Sequence, residues 1–425
     1  MAERLMKDSG VEWIGAIPED WNIDNIGSLY KERKEKCSDT EYSPLSVTMQ
    51  GIVPQLSTAA KTDAHDDRKL VRKGDFAINS RSDRRGSCGI SPQDGSVSLI
   101  NTVLTPKTEM NPGFYNWLFH SDMFSSEFYK WGHGIVDDLW TTNWQDMKAI
   151  SVPVPSQDEQ ARIADFLDKK VSEIDAVITK TRESIEEYKK LKQSIITEAV
   201  TKGLDPNVEM KDSGNKFVGL IPKRWEIKRT RFIADSLEKG NGITKEEVYP
   251  DGDISCVRYG EIYTKYNGAF TKCVSRTKLE QIAKPSSFSH GDLLFCGTGE
   301  LVEEIGKNIV YLGNEKCLAG GDIIVMKHRQ DPTFINYALN SGYSQTQKSY
   351  GKAKLKVVHI STSEIGNVWI ALPPMEEQKK IGEYLDGQCS KYDDLISKKE
   401  QVITELEQYK KSIIYEYVTG KKEVA

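Results

Sequence analysis

The sequence predicts an α+β protein: two similar mixed α/β units separated by two long helices, which pair as an antiparallel coiled coil in a pseudo-twofold internal repeat. Three observations predict it. Residues 6–23 (MKDSGVEWIGAIPEDWNI) and 210–227 (MKDSGNKFVGLIPKRWEI) are identical at ten of eighteen positions. Residues 155–203 and 373–420 each carry an unbroken seven-residue apolar rhythm and align at an offset of 218. The stretches between them mix short strand and helix signals. The expected division is 1–155, first unit; 156–204, first helix; 205–372, second unit; 373–425, second helix and tail.

The chain has 425 residues, room for two or three cores. No apolar run is long enough to cross a bilayer, and MAERLMKDSG is not a signal peptide, so a cytoplasmic protein is expected. Seven scattered cysteines form no CxxC, and six dispersed histidines form no HExxH, so no metal is expected. The net charge is −5, but the region 205–372 holds 23 Lys+Arg against 20 Asp+Glu. An acidic total argues against a non-specific polyanion binder while leaving room for local basic clusters.

In the first unit, Lys73-Gly74-Asp75 reads as a turn entering a strand, and Asn111-Pro112-Gly113-Phe114 as a helix start with proline in its first turn. His290-Gly291-Asp292 and Asp331-Pro332-Thr333-Phe334 match them in the second. A short apolar strand ending in proline precedes each long helix, at 150–155 and 368–374. The first long helix opens with Ser156 and Glu159 at capping-box spacing. Its seam is Val171, Ile178 and Ile185 on one heptad position and Leu167, Ile174, Tyr188 and Ile195 on the other. Gly203 reads as the C-cap, and the helix would span roughly 70 Å at 1.5 Å per residue. The second seam is Leu385, Cys389, Tyr392, Ile396, Ile403, Leu406 and Ile413. Neither helix can bury its stripe alone, and two copies in one register are natural partners. Lys192 and Lys410 fall at matching seam positions, where a lysine more often sets register than binds a ligand.

The recurrent motifs are the DSG…GxIPxxW opening (Asp8 to Trp21, Asp212 to Trp225), the proline-to-EQ helix start (Pro155 to Gln160, Pro373/Pro374 to Gln378), and the SII-x-E-x-V-T ending from Ser194 and Ser412. Together, twice and in order over nearly the whole chain, they resemble the DNA specificity subunit of type I restriction-modification systems. The resemblance implies two target recognition domains, each reading one half of an asymmetric split sequence in double-stranded DNA, with the helices as spacer. It implies two modification subunits that methylate adenine and ATP-dependent restriction subunits as partners. It also implies a chain that is no enzyme and holds no cofactor, with S-adenosylmethionine, ATP and Mg left to those partners. Two domains on a rod suit two separated half-sites.

The candidate contacts follow from side-chain chemistry. In the first unit they are Lys73, Asn79, Ser80, Arg81, Arg84 and Arg85: arginines and a glycine after a strand suit phosphates or guanine, and Asn79 suits adenine. The alternative is a solvated loop whose arginines are neutralised by Asp75 and Asp83. In the second they are Arg258, Tyr259, Lys265, Thr298, Lys352, Lys354 and Lys356, the last three alternating on one strand face as a phosphate track or as guards of an edge. Trp131, Trp140 and Trp144 favour core packing over base stacking.

An adenine methyltransferase is the rival class, because Leu294-Phe295-Cys296-Gly297-Thr298-Gly299 resembles its glycine turn, and Asn111-Pro112-Gly113-Phe114 and Asp331-Pro332-Thr333-Phe334 resemble its catalytic loop. The loop's second proline is missing, the glycine turn occurs once, and the two pieces lie too close for a doubly wound fold. A non-DNA coiled-coil scaffold is the third class.

Overall fold

The computed structural model describes residues 4–57, 65–134, 140–299, 305–352 and 358–424. The chain divides into two units: Met1–Arg182 with Glu400–Ala425, and Glu183–Lys399. Each unit therefore holds a stretch of both long helices, Gln157–Lys202 and Met375–Val418.

In the first unit, a four-stranded antiparallel sheet runs in the order Cys88–Ile90, Phe76–Asn79, Asn101–Pro106, Tyr30–Glu32. The helices Pro112–His120 and Asp122–Lys130 cover it through an aromatic core in which Phe76 and Phe119 stack at 4.4 Å. A second sheet runs Gly95–Val97, Arg68–Val71, Lys36–Cys37.

The second unit repeats that order: Asn308–Tyr311, Leu293–Cys296, Ile323–His328, Ala234–Lys239. The strand Ala269–Phe270 is added parallel to one edge. Its second sheet gains Ile254–Val257 and Ser275–Thr277, which accounts for the divergence of the two interiors.

The repeated motifs have physical roles. Met6–Asp8 pairs with Ala16–Pro18, and Met210–Asp212 with Leu220–Pro222. Asp8 Oδ1 accepts from Gly10 N at 3.0 Å, as Asp212 Oδ1 does from Gly214 N at 2.9 Å. The hairpins need glycine at Gly10 and Gly214, both at φ +71°.

The expected strands before the long helices are present, Ser151–Val154 pairing with Asn22–Asn25 and Trp369–Leu372 with Glu226–Arg229. The helix start departs from the capping box. Ser156 Oγ does accept from Glu159 N at 3.4 Å. Glu159 does not reach back, because its Oε2 accepts from Trp21 Nε1 at 2.7 Å and its Oε1 meets Arg4 at 2.7 Å. In the second unit Trp225 Nε1 donates to Glu377 Oε2 at 3.0 Å. The glutamine after each glutamate ties the helix to the sheet-covering helices. Gln160 Oε1 accepts from Asn111 N at 2.9 Å, and Gln378 Oε1 from Asp331 N at 3.0 Å. Just over two turns further on, Asp168 accepts from Trp117 at 2.7 Å and Asp386 from Tyr337 at 2.9 Å.

The seam residues Leu167, Val171, Ile174, Ile178, Ile185, Leu385, Cys389 and Ile413 are buried. Tyr188, Ile195, Tyr392, Ile396, Ile403 and Leu406 are half-buried. Within the first unit, Phe166 stacks on Tyr417 at 4.4 Å, Lys410 pairs with Asp175 at 2.7 Å, and Arg182 pairs with Glu407 at 2.8 Å. Within the second, Lys192 pairs with Asp393 at 2.6 Å and the Tyr188 and Tyr392 rings lie 6.0 Å apart.

Candidate nucleic-acid interface

The strand Phe76–Asn79 delivers the chain to an arginine-bearing tip. Asn79 is buried, and its Oδ1 accepts from Arg81 N at 3.0 Å. It shapes the turn and is not placed to read a base, a correction to its reading as an adenine contact. Ser80 is half-buried, with its Oγ 3.1 Å from Thr102 Oγ1. The short 3-10 turn Ser82–Arg84 follows, leaving Arg81, Arg84 and Arg85 exposed. Asp75 does not neutralise them, since its carboxylate holds Arg33 at 2.6 Å. Asp83 approaches Arg84 only at 3.6 Å. Lys73 is exposed but sits before the strand, at the end away from the tip, and the strand's four residues alone span about 13 Å at some 3.3 Å per residue.

A cleft of about 720 Å³ opens beside the tip, lined by Ser82, Asp83, Arg85, Ser126, Tyr129, Lys130 and Trp140. Arg85 lies 5.3 Å over the Tyr129 ring, a cation–π contact that leaves the guanidinium edge open. The Tyr129 hydroxyl donates to Asn79 O at 3.1 Å. Burial pushes that phenol well above the ordinary tyrosine range, so it stays a donor. Trp140 Nε1 donates to Tyr129 O at 2.8 Å, and a side chain at Gly132 would strike the indole at 2.3 Å. Trp144 packs against the core as expected, whereas Trp131 is 40% exposed.

The remote segment after residue 139 clamps the tip. Ser82 N donates to Trp140 O and Thr142 N to Ser80 O, both at 3.0 Å, with Arg81 opposite Thr141. The second unit builds the same clamp. Thr298–Gly299 pairs with Val358–His359, placing Thr298 opposite His359. Ile360 N donates to Gly297 O at 2.9 Å.

Around this second tip, Thr298 Oγ1 lies 3.1 Å from His359 Nδ1, Tyr263 OH donates to Thr298 O at 2.9 Å, and Lys307 lies 5.4 Å over the Tyr263 ring. Cys296 Sγ donates to the Tyr259 backbone carbonyl at 3.5 Å, and the Tyr259 side chain is exposed. Arg258 is committed to Glu261 at 3.1 Å, and Lys265 is exposed at the end of Tyr259–Thr264. Lys352 is largely buried and pairs with Glu364 at 2.7 Å, so it is no open phosphate contact. Lys354 and Lys356 lie outside the described residues.

The stretches that mimic a methyltransferase loop are helix caps. Asn111 Oδ1 accepts from Phe114 N at 3.1 Å and Asp331 Oδ1 from Phe334 N at 2.9 Å. Each has its backbone amide taken by the long-helix glutamine. Among the described residues, no His, Cys, Asp and Glu cluster suits a metal.

A family model described as type I restriction modification DNA specificity domain matches residues 222–408. The matched stretch is 187 of the 425 residues. Two curated relatives from Methanocaldococcus jannaschii extend the likeness to the whole chain. The type I restriction enzyme MjaVIII specificity subunit is 25% identical over 424 residues, 95% of this chain and 93% of the relative. The putative MjaX specificity subunit is 23% identical, covering 96% and 95%. A chain solved in a study of complex assembly and conformational transition in a type I R-M system has a similar fold, with TM-score 0.71, 16% identity, and 96% and 99% coverage. The HsdS subunit from Thermoanaerobacter tengcongensis gives TM-score 0.51, 18% identity, and 96% and 98% coverage.

Sequence reasoning about the two units found Arg81, Arg84 and Arg85, assigned Trp140 to the core rather than to the cleft that it lines, and missed Tyr129, Thr141 and His359. The available signal was the repeat itself, since Thr141 and His359 stand 218 positions apart, as the long helices do.

Proposed function

We propose that the chain is the non-catalytic DNA-specificity subunit of a type I restriction-modification complex, acting in the cytoplasm. Each unit is a target recognition domain that reads one half of an asymmetric bipartite site in double-stranded DNA. The observation that carries the reading is the repeated tip. One scaffold presents arginines beside a cleft at 81–85 and a threonine, histidine and tyrosine group at Thr298. Equal scaffolds with unequal chemistry suit two different half-sites.

The two long helices act as an antiparallel coiled coil related by a pseudo-twofold. The ion pairs Lys410–Asp175 and Lys192–Asp393 support this, because both partners shift by 218. The helices set the spacer and dock two modification subunits on their outward faces, where Val177, Leu191, Leu395 and Val402 are exposed. Methylation with S-adenosylmethionine, and cleavage with ATP and Mg, belong to the modification and restriction subunits.

Sequencing of modified adenines in DNA exposed to the complex tests the proposal. The expected result is one split motif with two unlike halves at a fixed spacing. Modification without a split motif sinks it.

A further inference from the structure

The sheet-covering helices correspond at an offset of 220: Pro112–His120 with Pro332–Asn340, and Asp122–Lys130 with Gly342–Ser349. That offset sets Phe128 against Lys348. Phe128 is fully buried among rings, with Phe124 at 6.2 Å. Lys348 is just as deep, at 2% exposure. Its Nζ donates to Gly306 O at 2.7 Å and Leu339 O at 2.8 Å, leaving one of three N–H donors over. No carboxylate of the described residues pairs with it. Of the described charged groups on adjoining segments, Lys307 lies over Tyr263, Lys352 pairs with Glu364, and His359 lies against Thr298. Burial pushes the amine down to about 7.

A buried lysine where the sister unit holds phenylalanine costs stability. Its position accounts for what it does. Gly306, at φ +62°, lies against Ile360, so that a side chain there would meet Ile360 Cδ1 at 3.2 Å and Lys348 Cδ at 2.9 Å. Ile360 in turn bonds Gly297 O beneath the Thr298–His359 pair. We propose that Lys348 is a positioning residue for DNA contact by the second unit, its ammonium tying Gly306 to Leu339 under the tip; this rests on the recognition reading above.

Two pH dependences of opposite sign follow. The unfolded amine titrates near 10.5, so between about 7 and that value the unfolded chain binds more protons, and folding stability rises with pH. DNA phosphates favour the charged amine, so binding takes up a proton, and affinity falls as pH rises above about 7.

The test uses the full chain, a duplex bearing both half-sites, and duplexes with one half-site scrambled, at pH 6.5 and 8.5 and constant ionic strength. The expected wild-type result is a several-fold loss of second-half-site affinity at the higher pH, up to about tenfold per pH unit for one coupled proton. Lys348→Met and Lys348→Phe are expected to melt higher than wild type at pH 6.5, lose about tenfold at the second half-site, and lose the pH slope. The first half-site stays unaffected. Wild-type affinity and slope in Lys348→Met would overturn the proposal, as would a Lys348→Phe chain that does not fold. If wild type binds no duplex at both half-sites, the recognition reading itself has failed.

Discussion

The indole of Trp21 donates to the Glu159 carboxylate at 2.7 Å, 138 residues along the chain, and Trp225 donates to Glu377 at 3.0 Å in the second unit. Both indoles are fully buried. Each is also packed by the end of the other long helix: a side chain at Gly420 would meet the Trp21 ring at 3.1 Å, and one at Gly203 the Trp225 ring at 3.2 Å. The opening motif, the start of its own helix and the end of the other helix thus meet at one tryptophan in each unit. Trp21→Phe keeps the ring but strips one donor from a buried carboxylate. It is expected to cost about 1–3 kcal/mol in urea unfolding. An unchanged midpoint would remove the bond from any stabilising role.

Lys192–Asp393 is the second relationship to test, because both side chains are partly shielded. In a double-mutant cycle, Lys192→Ala and Asp393→Ala are expected to couple by about 0.5–1 kcal/mol, less at high salt. Zero coupling would leave the apolar seam alone to fix the register. Leu167→Ala, at a fully buried seam position, is expected to cost about 2–5 kcal/mol by the same measurement.

His120 gives the first unit an acid sensitivity. Burial lowers the imidazole's pKa, against the opposing effect of hydrogen bonds to the Asn116 and Cys88 carbonyls. A folded value below the unfolded one, near 6.5, means the unfolded chain takes up more protons as pH falls through 6.5. Stability present above that pH is therefore lost below it. Asn340 holds the equivalent place in the second unit, donating to Asn308 O at 2.7 Å. His120→Asn is expected to fold and to flatten the stability profile between pH 7 and 5. A profile that keeps its wild-type slope would assign the acid loss to other groups.

The repeat, the strand leading into each long helix and most of the seam were legible because they are local or periodic. The tryptophan–glutamate bond was not. Ser156-x-x-Glu159 satisfies a capping box, and nothing local says that a distant indole outcompetes the backbone amide for the carboxylate. Asn79 was misread for the same reason, since a polar residue beside arginines looks exposed until its strand is placed centrally in a sheet. Thr141 and His359 belong to the tips only through pairings across about 60 residues. Such pairings leave no periodic trace.

The exposed arginines yield a quantitative test of the first tip. Arg84→Ala and Arg85→Ala each remove one cation from a loop that Asp75 does not neutralise. If each meets a phosphate, the slope of log affinity against log salt falls by about one per substitution, and affinity drops for all sequences alike. If one grips guanine instead, the loss is about 1–3 kcal/mol and confined to the cognate base pair. Binding isotherms at four salt concentrations on cognate and base-substituted duplexes separate the two. No effect in either would place DNA elsewhere on the unit.

The last test lengthens the helices. Seven residues inserted after Lys180 and a matching seven in the second helix preserve the heptad phase and add about 10 Å at 1.5 Å per residue. DNA rises about 3.4 Å per base pair, so the preferred spacer is expected to grow by about three base pairs. The two half-site sequences are expected to stay as they are, because no tip residue is touched. Sequencing of the bound or modified DNA reads both quantities together. A lengthened chain that keeps the wild-type spacer would show that something other than the helices sets the distance between half-sites. A changed half-site would show that the helices take part in reading the bases.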